Sequence, residues 1–271
     1  MKYYSIFFSF LILTCFNIKG QIIENGGANS TSMAGLNVNN ADVWSTNNNI
    51  GQLANIEKSS VSISVFQPFL LKDFSTANLA FGLVTNSGAF GFNYSNYGNE
   101  FLQVHNAGFG YSLTLGQQLQ SGIKINYHYL NAGEYYNKKS VISADFGLAA
   151  QLTRELNIGL SLKNPTLSKL DDFDNERIPT IMQFAAAYNF SQMLSIQAGV
   201  KKDMVYPLSF LAAIDYKPNE KISFKGGIGT KPTIAAFGFG ILFNQLQLNI
   251  AAQVHQILGW SPDFSITYQF Q

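Results

Sequence analysis

The sequence predicts an all-β protein: a transmembrane antiparallel β-barrel of about fourteen strands, with an N-terminal plug, or hatch, in its lumen. Three observations point there. From residue 58 onward, apolar residues recur at every second position in blocks of about eight to twelve. The positions between them carry small neutral groups rather than charges. Short turns alternate with longer connections along the chain.

The alternation is plain in "LQLNIAAQVH" (246–255), where Leu246, Leu248, Ile250, Ala252 and Val254 share one side and Gln247, Asn249, Ala251, Gln253 and His255 the other. "FSITYQF", "IKINYHYL" and "LSIQAGVK" repeat it. A period of two means a strand with two chemically different faces.

Alternation alone does not separate a water-soluble sandwich from a membrane barrel; the polar face does. Charged residues make up 12% of the 271-residue chain, about half of the roughly 25% usual in soluble domains. The polar positions are mostly Ser, Gln, Asn, Thr, Gly and Ala, with scattered ions such as Lys124, Asp145, Lys201, Asp215 and Lys225. Such groups suit a crowded interior in which side chains hydrogen-bond one another. The opposite face is Phe, Tyr, Leu and Ile, as lipid contact demands. Most other charges fall between blocks. A charge on the lipid face at the bilayer midplane costs about 2–4 kcal/mol, so exclusion to the rims follows.

Strands are expected near 59–66, 75–84, 88–96, 103–115, 118–130, 140–152, 156–163, 180–190, 194–202, 208–216, 221–229, 234–243, 246–255 and 263–270. Parity breaks around His105-Asn106, which predicts a bulge there. Six connections are short, among them Gly116-Gln117 and Asn244-Gln245, and the longest runs from Asn164 to Pro179. Short turns on one side and longer loops on the other characterise outer-membrane barrels. Closing the sheet removes the unpaired edge that hydrocarbon penalises.

Ahead of the strands, Lys2 and the apolar run "SIFFSFLILTCF" (5–16) read as a signal peptide over residues 1–20, cleaved near Gly20-Gln21. The apolar run is too short to span a bilayer. Cys15 is the single cysteine and falls in this leader; a lipid anchor there would need a smaller residue than Thr14 before it. Residues 21–57 then form the plug and 58–271 the barrel. The plug segment is polar, poor in charge and without amphipathic period. Asp42, Trp44 and Asn49 are its candidate functional residues. Asp42 either anchors the hatch by accepting backbone N–H bonds or caps a turn; Trp44 either wedges against the wall or packs generically; Asn49 hydrogen-bonds the wall in either case.

The stretch "GGANSTSMAGLNVNNADVWSTNNNIGQLA" (26–54) resembles the N-terminal signature of FadL-like outer-membrane proteins, closest to the PorV/PorQ branch found with type IX secretion in Bacteroidota. Gly27, Ala28, Ser30, Met33, Gly35, Val38, Asp42, Val43, Ser45, Asn49, Leu53 and Ala54 fall in register with it. The family's Asn-Pro-Ala-Gly is replaced by Asn49-Ile50-Gly51-Gln52, which loses the proline that stiffens the hatch turn. The resemblance implies a non-enzymatic fourteen-strand barrel blocked by a hatch, in outer-membrane lipid. It implies one of two functions. PorV/PorQ-like members are accessory to protein secretion and surface presentation, with secretion-machinery or surface proteins as partners. FadL-like members pass hydrophobic small molecules from outside through the barrel and out by a lateral gap.

Other chemistry is weakly represented. The net charge of +1 gives no footprint for nucleic acid. His105, His128 and His255 lie on separate strands, so no metal site is expected. No G-x-S-x-G elbow occurs, so no catalytic residue is assigned and no cofactor is called for. "GGIGTKP" (226–232) has the glycines of a phosphate loop but no following helix, and reads as a strand end with close backbone packing. The acidic run of Asp171, Asp172, Asp174 and Glu176 reads as a solvated loop, its oxygen spacing unlike an EF-hand.

Overall fold

A computed structural model describes residues 26–131, 138–169 and 178–270. The expected signal peptide with Cys15, and the acidic run at 171–176, lie outside the described residues. The strands are β1 Ser60–Phe66, β2 Thr76–Thr85, β3 Gly88–Gly98, β4 Gln103–Leu115, β5 Leu119–Asn131, β6 Lys139–Gln151 and β7 Leu156–Lys163. They continue as β8 Ile181–Asn189, β9 Leu194–Asp203, β10 Ser209–Asn219, β11 Ile222–Thr230, β12 Thr233–Phe243, β13 Leu246–His255 and β14 Gly259–Gln269. Every strand pairs antiparallel with its neighbours in sequence, and β1 pairs with β14 from Ser60↔Gln269 to Phe66↔Asp263, which closes the barrel.

The two faces are as different as the alternation requires. Ser62, Ser64, Asn78, Asn93, Asn126, Ser143, Asn249 and Ser265 point inward and are buried, while Ile63, Phe109, Ile125, Ile142, Phe210, Ile228 and Ile250 point outward and are exposed. Aromatic residues ring both ends of the outer face. Tyr94, His105 and Tyr129 stand near the longer loops, and Tyr188 with Phe190 (ring centroids 4.8 Å apart) and Tyr268 with Phe270 (5.3 Å) stand near the short turns. An apolar outer band between aromatic girdles is what a bilayer demands of a barrel.

The strand ends depart from expectation where proline or loop geometry intervenes. β14 begins at Gly259 and not at 263, because Pro262 is tolerated inside it. The Pro262 carbonyl accepts from Gln67 N–H (3.0 Å), so this residue turns its ladder side toward β1, beyond the point where β1 has ended. Its missing N–H therefore removes no bond to β13. The bulge expected at His105-Asn106 is absent. β4 keeps an unbroken register with β3 and with β5 through both residues, His105 outward and Asn106 buried inward. The broken alternation reflects Val104, an apolar residue turned inward close to the loop end. The irregular register instead lies between Tyr216 and Asn219 on β10, around Pro218, where a missing N–H favours a bulge.

β7 falls short of its neighbour β6. β7 pairs with β6 over Asp145–Gln151 and stops at Lys163, after which Asn164 (φ 48) turns the chain away. Among the described residues, no strand pairs with 139–144 of β6 on the β7 side, though β5 pairs with that stretch on the other.

Candidate functional site: the hatch and its two cavities

Residues 26–56 fold inside the barrel. Helix α1 (Gly27–Ser32) lies against β12, β13 and β14, and the 3-10 segment Ile50–Asn55 lies against β4, β5 and β6. Helix α2 (Ser45–Asn48) joins the two sides. Met33, Leu36 and Val38 pack on Ala185, Leu211 and Ala213; Ile50, Leu53 and Ile56 pack on Ala89; Val43 and Trp44 pack on Ala80. The hatch brings most of the large apolar groups and the wall, Leu211 apart, brings alanines.

Glycine allows the closest approaches. A Cβ at Gly147 would stand 2.2 Å from Asn49 Oδ1 and 2.5 Å from Gly51 N, and one at Gly122 would stand 2.7 Å from the Ile50 carbonyl oxygen. Gly227 against Met33, and Gly159 against Val38, are equally tight at 2.3 and 2.4 Å. Gly227 belongs to the "GGIGTKP" run, and of that run's glycines it is the one that seats the hatch.

Polar bonds fasten this seat. Asn49 donates both amide hydrogens, one to the Val38 carbonyl (2.8 Å) and one to the Leu148 carbonyl of β6 (2.9 Å), and its Oδ1 accepts from Gly51 N–H (3.1 Å). Ser112 Oγ donates to the Gly51 carbonyl (3.0 Å), Gln183 Nε2 to the Gly35 carbonyl (2.8 Å), and Thr31 Oγ1 to Asp263 Oδ2 (2.6 Å). Asp42 is bonded within the hatch: Oδ1 accepts from Trp44 N–H (2.9 Å) and Oδ2 from Asn29 Nδ2 (3.1 Å). Depth inside the barrel pushes the Asp42 carboxyl above its ordinary range, although part of it faces a cavity. The bonds from Asn29 and Trp44 and the charges of Lys225 and Lys217 pull it back. The Trp44 ring is fully buried. Asn49 thus ties hatch to wall, Asp42 ties hatch to hatch, and Trp44 packs on β2.

Asn49→Ala is expected to leave the Leu148 and Val38 carbonyls without a side-chain donor, at about 1–3 kcal/mol for the buried groups. Hydrogen exchange should show faster opening of 49–55 with the barrel ladders unchanged; unchanged exchange there would show that the seat does not depend on these bonds.

The hatch divides the lumen. Toward the longer loops it leaves a cavity of about 140 Å³ lined by His128, Ser143, Asp145 and Lys163 on one side and by Ile178, Pro179 and Ile181 on another. His128 Nε2 and Ser143 Oγ lie 2.8 Å apart in its wall, and Lys124 Nζ meets Asp145 Oδ2 at 3.1 Å. This cavity lies beside the place where β7 ends. Toward the short turns a larger cavity of about 780 Å³ is lined by amides and by Asp42, Asp215, Lys217 and Lys225. Among the described residues no group of three His, Cys, Asp or Glu is arranged to hold a metal.

No protein-family model matches the chain, and no curated protein sequence matches it either. Solved structures do. The CymD monoaromatic hydrocarbon channel superposes with a TM-score of 0.71 at 11% identity, covering 90% of this chain and 97% of that one. The Ralstonia pickettii toluene transporter TbuX gives 0.69 at 13%, covering 90% and 98%. A Pseudomonas aeruginosa FadL homologue gives 0.65 at 13%, covering 93% and 100%. The fold is FadL-like. Sequence reasoning found the barrel and this likeness. It missed the glycine seats, the early end of β7 and the amide cluster in the larger cavity, because the groups that meet there are far apart in the chain.

Proposed function

We propose that the protein is a hatch-closed, non-enzymatic channel of the outer membrane that admits hydrophobic small molecules. Support comes from the wall beside the smaller cavity. Among the described residues, six of β6 have no strand partner on the β7 side, and Ile178, Pro179 and Ile181 give that side an apolar surface. A molecule entering from the longer loops would meet the hatch as a floor and the incomplete ladder as a sideways way out to lipid. Volume alone is consistent: a cavity of about 150 Å³ can hold benzene, and this one, apolar only along Ile178, Pro179 and Ile181, measures about 140 Å³. Much of the remaining lining is polar and is bonded within the wall or to the hatch, as His128 is to Ser143 and Gln183 to the Gly35 carbonyl, so an apolar solute would leave the Lys124–Asp145 pair undisturbed. The structural neighbours add fold-level support, two of them being a monoaromatic hydrocarbon channel and a toluene transporter.

Placement in the PorV/PorQ branch, with a role in secretion or surface presentation, rests on the N-terminal resemblance alone and is the second reading. One experiment separates the two. Cells with and without the gene are compared for uptake of labelled toluene and for the proteins on their surface and in the medium. A several-fold fall in uptake with unchanged surface proteins is the expected result. Unchanged uptake with lost surface proteins would replace the channel by the secretion reading.

A further inference from the structure

The larger cavity holds a set of polar groups that neither the hatch seat nor a hydrocarbon path uses. We propose that its β7–β10 sector is a binding site for an organic cation, a ligand bearing a primary ammonium or guanidinium group. The inference is independent of the channel reading.

Gln197, 5% exposed, donates Nε2 to Asn40 Oδ1 at 3.0 Å, while its Oε1 has no partner. Asp215 Oδ2 takes Lys225 Nζ at 2.5 Å and Lys217 Nζ at 3.7 Å; its Oδ1 is buried and has none. The register pairs Gln197 with Ala213 and Ser195 with Asp215, so Gln197 and Asp215 are diagonal neighbours on one face. Such residues stand roughly 7–8 Å apart at the backbone, within reach of one small ligand. From the hatch comes Asn39, with neither amide atom partnered. Its oxygen lies where a Cβ on Gly159 of β7 would come within 2.8 Å, so the amide stands against the same sector of wall.

Charge and polarity favour a cation here. Open acceptors are Asp215 Oδ1, Gln197 Oε1 and Asn39 Oδ1, against open donors Asn39 Nδ2 and the Trp44 indole N–H. One acceptor is a carboxylate oxygen, and the Asp42 carboxylate lines the same cavity. Buried acceptors left without donors are costly, and a charged donor satisfies them best. Four carboxylates and four lysines line the cavity as a whole, but the two lysines of this sector, Lys225 and Lys217, both lie on Asp215 Oδ2 and leave Oδ1 open. The deep cation, Lys225, is already engaged by Asp215.

Trp44 supplies the readout. The chain has two tryptophans, and Trp260 is half-exposed on the outer face of β14, so Trp260→Phe leaves Trp44 as sole reporter. In full-length protein in nanodiscs, titration with agmatine is expected to change Trp44 emission saturably, with butyramide and glutarate giving no saturable change. Gln197→Glu should tighten agmatine binding about tenfold and Gln197→Met weaken it about tenfold, the effect of one hydrogen bond to a charged group. Asn39→Asp, on the hatch and away from the strands, should tighten it in the same direction and serves if the Gln197 variants do not fold. Absence of a saturable response, equal response to butyramide, or wild-type affinity in the folded variants overturns the proposal. Toluene uptake is expected to be unchanged in these variants, so failure here and failure of the channel reading are distinguishable.

Discussion

Gly147→Val is expected to unseat the hatch while the barrel still closes. The added Cβ would sit 2.2 Å from Asn49 Oδ1, 2.5 Å from Gly51 N and 2.9 Å from Ile50 N. Two of these are backbone atoms, so a change of rotamer cannot relieve the clash; segment 49–51 must leave the wall. With it go the bond from Asn49 to the Leu148 carbonyl and the bond from Ser112 to the Gly51 carbonyl. Each is worth about 1 kcal/mol. Ile50 and Leu53, 3% and 0% exposed, would lose burial worth roughly 1.5–3 kcal/mol apiece. The ladder itself is untouched, since Gly147 pairs with Gly122 and Ser161 through backbone groups that valine also has. Ion conductance in planar bilayers should rise well above that of the unmodified protein, and proteinase K should cut the hatch. Gly226→Ala is the control. Its Cβ would meet nothing closer than the Ile214 side chain at 3.5 Å, so conductance should not change. A Gly147→Val channel as tight as the unmodified one would show that the hatch is held from elsewhere.

That expectation could not have been written from the chain alone, and the reason is physical. A period of two reports which face a residue occupies, so the strand set, the polar lumen and the apolar exterior were legible from residues such as Asn249 and Ile250. Low charge with Asn-rich composition set segment 21–57 apart from the strands, and its described part, from residue 26, lies against the inner wall. The pattern does not report what stands across the lumen. Gly147 reads as a weak point in a strand, and its use appears when Asn49, ninety-eight positions earlier, fills the space above it. The bulge expected at His105-Asn106 failed for a related reason. Near the loop end a side chain need not obey the lipid rule, so Val104 turns inward without disturbing the ladder. Pro218 was a clearer sign of irregular pairing than any break in alternation. Early termination of β7 had no signature, because "LSLK" before Asn164 would serve equally as the middle of a longer strand.

Lys124→Met is expected to be among the most destabilising single changes in the barrel. Lys124 faces Asp145 directly across the β5–β6 ladder, and the two side chains meet at 3.1 Å with 2% and 9% of their surface exposed. Methionine preserves much of the volume but leaves the carboxylate with the Asn164 N–H at 3.1 Å and without the Lys124 ammonium at Oδ2. Removing one member of a buried pair costs about 3–5 kcal/mol, because the other charge stays behind. The urea midpoint for loss of the folded, heat-modifiable form should fall accordingly. Lys124→Met combined with Asp145→Leu should recover most of that loss, since replacing both charges by apolar groups is often neutral. The pair also stands at a particular place. Asp145 is the last β6 residue to pair with β7, and it holds the amide of Asn164 where the chain turns away. On the channel reading proposed above, a charge pair kept at the foot of the incomplete ladder would fix the lower edge of the sideways exit beside the smaller cavity. If the double variant recovers stability but admits labelled toluene at an altered rate, the pair is set there for the opening's geometry. If it stays as unstable as Lys124→Met alone, the lysine's value lies in its stem, packed against Gly110 where a Cβ would come within 2.9 Å of it.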